Sequence, residues 1–133
     1  MKRLHDQTGM VGKIIIVWLV LVALLGVVGL DAASIIFTKF RLNDTASTAA
    51  TAAATNYQNS RDADAACSAA RESVLTEDPD TQIPKNFCKI DPSSGLATIV
   101  VKKEAKTILA GRLSFTKDLA KVTDKETAGP ATL

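Results

Sequence analysis

Two cysteines and one histidine are the side chains of this sequence best suited to covalent or metal chemistry. Cys67 and Cys88 both follow a long apolar run, whereas His5 precedes it. A disulfide between the two cysteines is favoured over metal binding, because they would share an oxidising compartment and the sequence has no CxxC pair. Closing a loop of this length stabilises a fold by about 3 kcal/mol. The sequence therefore predicts a bond between Cys67 and Cys88.

No other group of residues forms a catalytic pattern. His5 lies across the apolar run from every serine and cysteine that follows it, and there is no glycine-rich phosphate loop. Glu77, Asp78 and Asp80 lack the rest of a calcium-binding loop, which favours a solvated acidic loop. We therefore expect a protein without catalytic residues, metal or cofactor.

The basic residues also argue against a nucleic-acid partner. Lys102, Lys103 and Lys106 cluster near a predicted strand, but Glu104 interrupts them and no aromatic residue lies among them. Protection of a strand edge is favoured over contact with DNA. After residue 13 the 13 basic and 13 acidic residues cancel, so no nucleic acid is expected to bind.

The apolar run itself extends from Ile14 to Leu30 without a charge. Its 17 residues would span roughly 26 Å as a helix, close to the thickness of a bilayer core. A cleaved signal peptide is the alternative, but the run exceeds the usual apolar length and the small-residue cleavage pattern after it is poor. A retained anchor is favoured. Lys2 and Arg3 precede the run, which predicts a cytoplasmic N-terminus.

The residues that flank the run predict three segments, namely a cytoplasmic tail at 1–12, a transmembrane segment at 13–31 and an extracytoplasmic domain at 32–133. Lys13 and Trp18 suit the inner membrane interface. Asp31 is interpreted as the outer boundary, because a carboxylate there needs water, headgroups or a partner. The alternative is that Asp31 meets a basic group of a neighbouring subunit.

A helical pattern continues beyond the run. Small and apolar residues recur on one side of a helix that is predicted from about Val11 to about Tyr57, namely Ile35, Leu42, Ala46, Ala49 and Ala53. Small side chains let another backbone approach closely. This side is therefore predicted to be a packing surface, either for other helices in an assembly or for the protein's own sheet.

The remainder predicts a small α+β domain. After a polar turn at 56–60, Ser60 is placed as the cap of a second helix with Ala63, Ala66, Ala70 and Val74 on its inner side. A loop with two prolines follows. Phe87–Ile90 and Leu96–Val101 are predicted to form a hairpin around the turn at 91–95, and the segment 115–128 a last strand. The segment 105–115 is left as a short helix or an irregular crossing.

The stretch from Thr8 to about Leu75 resembles the N-terminal region of TadE/TadG-like proteins of tight-adherence (Flp-type) pilus systems. The shared order is a glycine, here Gly9, then an apolar helix, an aspartate, an aromatic and basic stretch, and an alanine tract. Here the aspartate is Asp31 and the stretch is Phe37–Arg41. Members processed by a peptidase carry a glutamate five residues after the glycine, where this chain has Ile14. This departure favours the type that stays anchored.

The resemblance implies a pilin-like fold and a non-enzymatic role as a minor pilin-like or assembly component. It also implies a single-pass protein of the bacterial cytoplasmic membrane with its C-terminal domain outside. Its partners would be the membrane and other pilus or secretion-system subunits, packed through the long helix, with a homo-oligomer as a further possibility. The alternative function is a stand-alone membrane-anchored extracellular binding or sensing module.

Overall fold

Two helices and a small antiparallel sheet make up the fold, which is α+β as the sequence predicted. The structure, a computed structural model, describes the backbone of residues 2–130 and the side chains of residues 9–130. The elements are α1 (Lys2–Ser60), α2 (Ala63–Glu77), β1 (Cys88–Ile90), β2 (Ala97–Glu104) and β3 (Lys121–Ala128), with a 3-10 helix at Lys117–Ala120 before β3. The strand order is β1-β2-β3, so β2 is the central strand.

Helix α1 has two parts that differ in what surrounds them. No side chain from Gly9 to Leu30 is buried, although most of them are apolar. Asp31 is the first buried side chain, and the outer part of α1 beyond it runs through the head of the molecule. Neither proline nor a break in hydrogen bonding separates the two parts. One continuous helix therefore joins an apolar, exposed segment to a packed domain.

The junction between α1 and α2 corrects the predicted cap. Helix α1 ends at Ser60, and Arg61 takes a left-handed conformation with φ 57°. The Arg61 N–H donates to the Tyr57 carbonyl at 2.8 Å, a common way to end a helix. Asp62 caps α2, since its carboxylate accepts from the N–H groups of Asp64 at 2.9 Å and Ala65 at 3.3 Å. Ser60 cannot cap α2, because it is the last residue of α1, whereas Asp62 immediately precedes Ala63.

The core lies between the outer part of α1, α2 and one face of the sheet. Strand β2 contributes alternate residues, Ala97, Ile99 and Val101, because side chains of a strand point to opposite faces in turn. Most of the helix residues that face them are alanines with no exposed surface, namely Ala46, Ala49, Ala50, Ala53 and Ala54 of α1 and Ala66 and Ala70 of α2. Small side chains thus bring the helices close to each other and to the sheet.

The hairpin and the last strand lie where the sequence predicted them, with shifted ends. The predicted turn joins β1 to β2, with Gly95 at φ 74° and its N–H bonded to the Asp91 carbonyl at 2.8 Å. The hydroxyl of Ser93 and the backbone N–H of Ser93 lower the pKa of Asp91 to about 2.

Strand β2 extends to Glu104, and β3 begins at Lys121 and pairs with it along its whole length. The segment between them is irregular and is called the β2–β3 connection (residues 105–120).

Candidate interaction surfaces

The carboxylate of Asp31 holds the β2–β3 connection onto α1. It accepts three backbone hydrogen bonds, from the N–H of Ile108 at 2.6 Å and from those of Leu109 and Ala110 at 2.8 Å each. One turn further along α1, the Ser34 hydroxyl donates to the Lys106 carbonyl at 2.6 Å. An ionised acceptor strengthens such bonds. Within the chain, the groups that meet this carboxylate are therefore backbone amides.

The side of α1 that was predicted to be a packing surface is covered by the sheet and α2 of the same chain. Leu42, Ala46, Ala49 and Ala53 are buried in the core beside β2, β3 and α2, and Ile35 is half-buried against the same core. Their small size does allow close approach, but the surface that approaches is intramolecular. In this structure these five residues therefore pack within the chain, which is the second of the two alternatives that the sequence left open.

The opposite side of α1 is exposed and apolar just beyond Asp31. Ile36, Phe37 and Phe40 are each more than half exposed, with Phe40 at 69%. The Arg41 guanidinium lies 5.9 Å from the centre of the Phe37 ring, within the range of a cation–π contact. We call Ile36, Phe37 and Phe40 the outer apolar patch. It continues the apolar surface of the preceding segment on the side that the head leaves uncovered.

Helical spacing alone did not separate these two sides. Apolar residues lie on both sides of α1 between Ile35 and Leu42, so the sequence offered two candidate stripes. The stripe that continues into the alanine tract is the predicted packing surface, and its alanines suit close approach to a neighbouring backbone. The aromatic residues Phe37 and Phe40 were the signal for the exposed side.

A buried ion pair joins the end of α2 to the central strand. The Lys103 ammonium donates to the Asp78 carboxylate, and both side chains are largely buried. Burial raises the pKa of Asp78, but the hydrogen bonds from Lys103 and from the Asp80 N–H outweigh it and leave the pKa below its ordinary value. Asp78 is therefore not part of a solvated acidic loop, and the Lys103 ammonium is bonded to Asp78 instead of lying free along a strand edge.

The predicted disulfide is present. Cys67 on α2 and Cys88 at the start of β1 are bonded, with their Cα atoms 5.7 Å apart. Strand β1 has only three residues, and in the sheet it pairs with β2 alone. The bond therefore fastens the short edge strand to α2.

The described residues form an open groove but no cluster of metal-ligating side chains. From residue 9 to residue 130, no group of three or more His, Cys, Asp or Glu side chains is arranged to hold a metal ion. An open groove runs between α1 and α2, and hydroxyl, amide and methyl groups line it, including those of Thr48, Thr51 and Asn59. The side chain of His5 lies outside the described residues.

Helix α1 is long and apolar enough to cross a membrane, and it is the one such helix in the part of the chain that the structure describes. Lys13, Trp18 and Asp31 all lie on this helix, and Trp18 is exposed. Comparisons with protein-family models, with curated proteins and with solved structures find no match to this chain.

Proposed function

We propose that this protein is a non-enzymatic, minor pilin-like or assembly component of a Flp-type (tight-adherence) pilus, anchored in the bacterial cytoplasmic membrane. The observation that carries the proposal is the two-part helix α1. Its first part exposes an apolar surface that fits a bilayer core, and its second part is the central helix of a small disulfide-bonded head. Pilin-like subunits pack side by side through helices of this kind, and the N-terminal residues resemble the TadE/TadG-like proteins.

The orientation is proposed from charge and from the disulfide. Lys2, Arg3 and Lys13 lie before or at the start of the apolar run and only Asp6 opposes them, which favours an N-terminus in the cytoplasm. The disulfide of the head fits the oxidising side of the membrane. An impermeant thiol reagent on intact cells tests this with His5→Cys and Asp80→Cys. Reagent should reach position 80 and not position 5, and the opposite pattern would invert the topology.

The contact with other subunits is proposed to lie on the outer apolar patch. The other side of α1 packs on the head, whereas the patch is exposed and apolar and is therefore free to meet another helix. Ile36, Phe37 and Phe40 are also adjacent to the apolar segment, so a neighbouring helix could follow one continuous surface. The neighbour is a pilus or secretion-system subunit or a second copy of this chain.

Site-specific photo-crosslinking in the native cells tests the contact. A photoreactive amino acid replaces Phe40, and Gln58, exposed near the end of the same helix, carries it in the control. Crosslinked products are identified by mass spectrometry. Products from position 40 that contain pilus subunits or a second copy support the proposal. Products without such subunits from either position would favour a stand-alone binding or sensing module.

A further inference from the structure

The β2–β3 connection exposes large apolar side chains at the level of the membrane boundary. Ile108, Leu113 and Leu119 are each at least two-fifths exposed and Phe115 is 81% exposed. Exposed apolar groups that cluster in one segment usually mark a surface that is covered in the working protein. The sheet and the helices of the head leave these side chains uncovered.

The connection is nevertheless well ordered by polar contacts. Its two ends are joined by the hydrogen bond from the Ala105 N–H to the Ala120 carbonyl at 2.7 Å. Within it, the Thr116 hydroxyl donates to the Ala110 carbonyl at 2.9 Å, and the Gly111 N–H donates to the Thr107 hydroxyl at 2.8 Å. With the bonds to Asp31, these contacts fix the backbone while the apolar side chains stay outside the core.

The position of the connection along α1 follows from Asp31. The run Ile14–Leu30 can be extended to Met10 if the Lys13 ammonium reaches the headgroups. The stretch from Met10 to Leu30 has 21 residues and spans about 31 Å as a helix, which matches a bilayer core of about 30 Å. Asp31 then lies at the outer boundary of that core. Residues 108–110 lie at the same level, because their N–H groups bond to the Asp31 carboxylate.

The charges of the same segment fit a layer of lipid headgroups. Lys106, Arg112 and Lys117 are all exposed. The one acidic residue of the segment, Asp118, pairs with Lys121 at the start of β3. Apolar side chains interleaved with lysine and arginine are typical of segments that lie in a membrane interface, where the apolar groups enter the acyl chains and the cations reach phosphates.

We propose that the β2–β3 connection is an interfacial segment, whose Ile108, Leu113, Phe115 and Leu119 side chains insert into the outer leaflet of the bilayer that α1 crosses. The inference rests on the proposed membrane anchoring and is independent of the pilus role. The head then contacts the membrane at two places, through α1 and through the β2–β3 connection, which Asp31 joins. Two contacts fix the orientation of the head relative to the bilayer.

Depth-dependent quenching of a single indole tests the proposal in the full-length protein. Trp18 is the only tryptophan, so Trp18→Phe gives an indole-free background. Phe115→Trp is the probe, and Leu96→Trp is the control, since Leu96 is an exposed apolar residue at the far end of β2, about 27 Å along the strand from Glu104. Each variant is placed in nanodiscs of phosphatidylcholine with bromine at shallow or deep positions of the acyl chains.

The indole at position 115 should emit at a shorter wavelength than a water-exposed indole. It should also lose intensity in brominated relative to unbrominated nanodiscs, most strongly with shallow bromine. The indole at position 96 should show neither effect. The native chain, with Trp18 in the same nanodiscs, reports anchoring separately. Quenching of Trp18 without quenching at position 115 would overturn the proposal that the connection inserts into the bilayer, but not the anchoring. The exposed apolar side chains would then be expected to contact a protein partner. Absence of quenching at both would overturn the anchoring and the inference together.

Discussion

Leu109 donates its backbone N–H to a carboxylate oxygen of Asp31 at 2.8 Å, and so ties the irregular part of the head to the end of the apolar run. The two residues are 78 positions apart in the sequence. Because Ile108 and Ala110 bond to the same carboxylate, one acidic side chain fixes the position of the β2–β3 connection on α1. The following predictions begin with this contact.

Asp31→Asn should loosen the β2–β3 connection without unfolding α1. The amide keeps the size of the side chain but loses the charge, and it offers one oxygen where three N–H groups now bond. A hydrogen bond to a charged group contributes about 1.5–3 kcal/mol, so amides 108–110 should exchange about 10- to 100-fold faster. Hydrogen exchange with mass spectrometry measures this. Asp44→Asn, at an exposed position of the same helix, is the control, and unchanged exchange in Asp31→Asn would contradict the prediction.

Ala49→Leu should destabilise the head. Ala49 has no exposed surface and lies in the core, so three extra carbon atoms must displace the sheet or α2, at a cost of about 1–3 kcal/mol. Thr48→Leu is the control. Thr48 is adjacent to Ala49 in the sequence but is exposed, so this substitution should change the melting temperature little. Thermal melts of the full-length protein in detergent provide the comparison. Equal melting temperatures for the two variants would mean that Ala49 lies outside the core.

Removal of the disulfide should weaken the attachment of β1. The double variant Cys67→Ser, Cys88→Ser loses about 3 kcal/mol in the chain-entropy account, and β1 should lose exchange protection before β2 and β3 because it is a three-residue edge strand. Denaturant unfolding measures the free energy, and peptide mapping of the non-reduced native protein should recover the two cysteine peptides joined. Free thiols in protein from its native envelope would contradict this prediction.

The ion pair of Asp78 and Lys103 should make stability depend on pH in the acid range. The pKa of Asp78 in the folded chain lies below the ordinary value of 3.8. The contribution of the ionised Asp78 to the free energy of unfolding is therefore complete above about pH 3.8. It is lost as the pH falls through the pKa of Asp78 in the folded chain. Asp78→Asn should lower the free energy of unfolding at neutral pH by about 1–3 kcal/mol. As the pH is lowered, the free energy of unfolding should fall less in Asp78→Asn than in the control variant Asp80→Asn. Parallel pH profiles for the two variants would exclude Asp78 as the source.

The sequence by itself determined the elements whose signals are local. The uncharged run Ile14–Leu30 and the helix that continues beyond it, the turn at Asp91–Gly95 with its flanking strands, and the α+β class could all be read from periodicity, charge and turn residues. The pairing of Cys67 with Cys88 also followed, because two cysteines allow one intramolecular bond. The helices, strands and turn depend on neighbours in the chain, so a linear pattern records them, and the disulfide required only that the chain has two cysteines.

Only the tertiary structure decided which surface each residue meets. Ala49 and Phe40 both lie on regular helical stripes, but one stripe is covered by the sheet and α2 and the other is exposed, and this depends on where β2 and β3 dock. In the same way, Asp31 reads as a boundary residue until three amides from a distant connection converge on it. Burial and hydrogen bonding between segments far apart in the chain depend on packing in three dimensions, which leaves no periodic trace in the sequence.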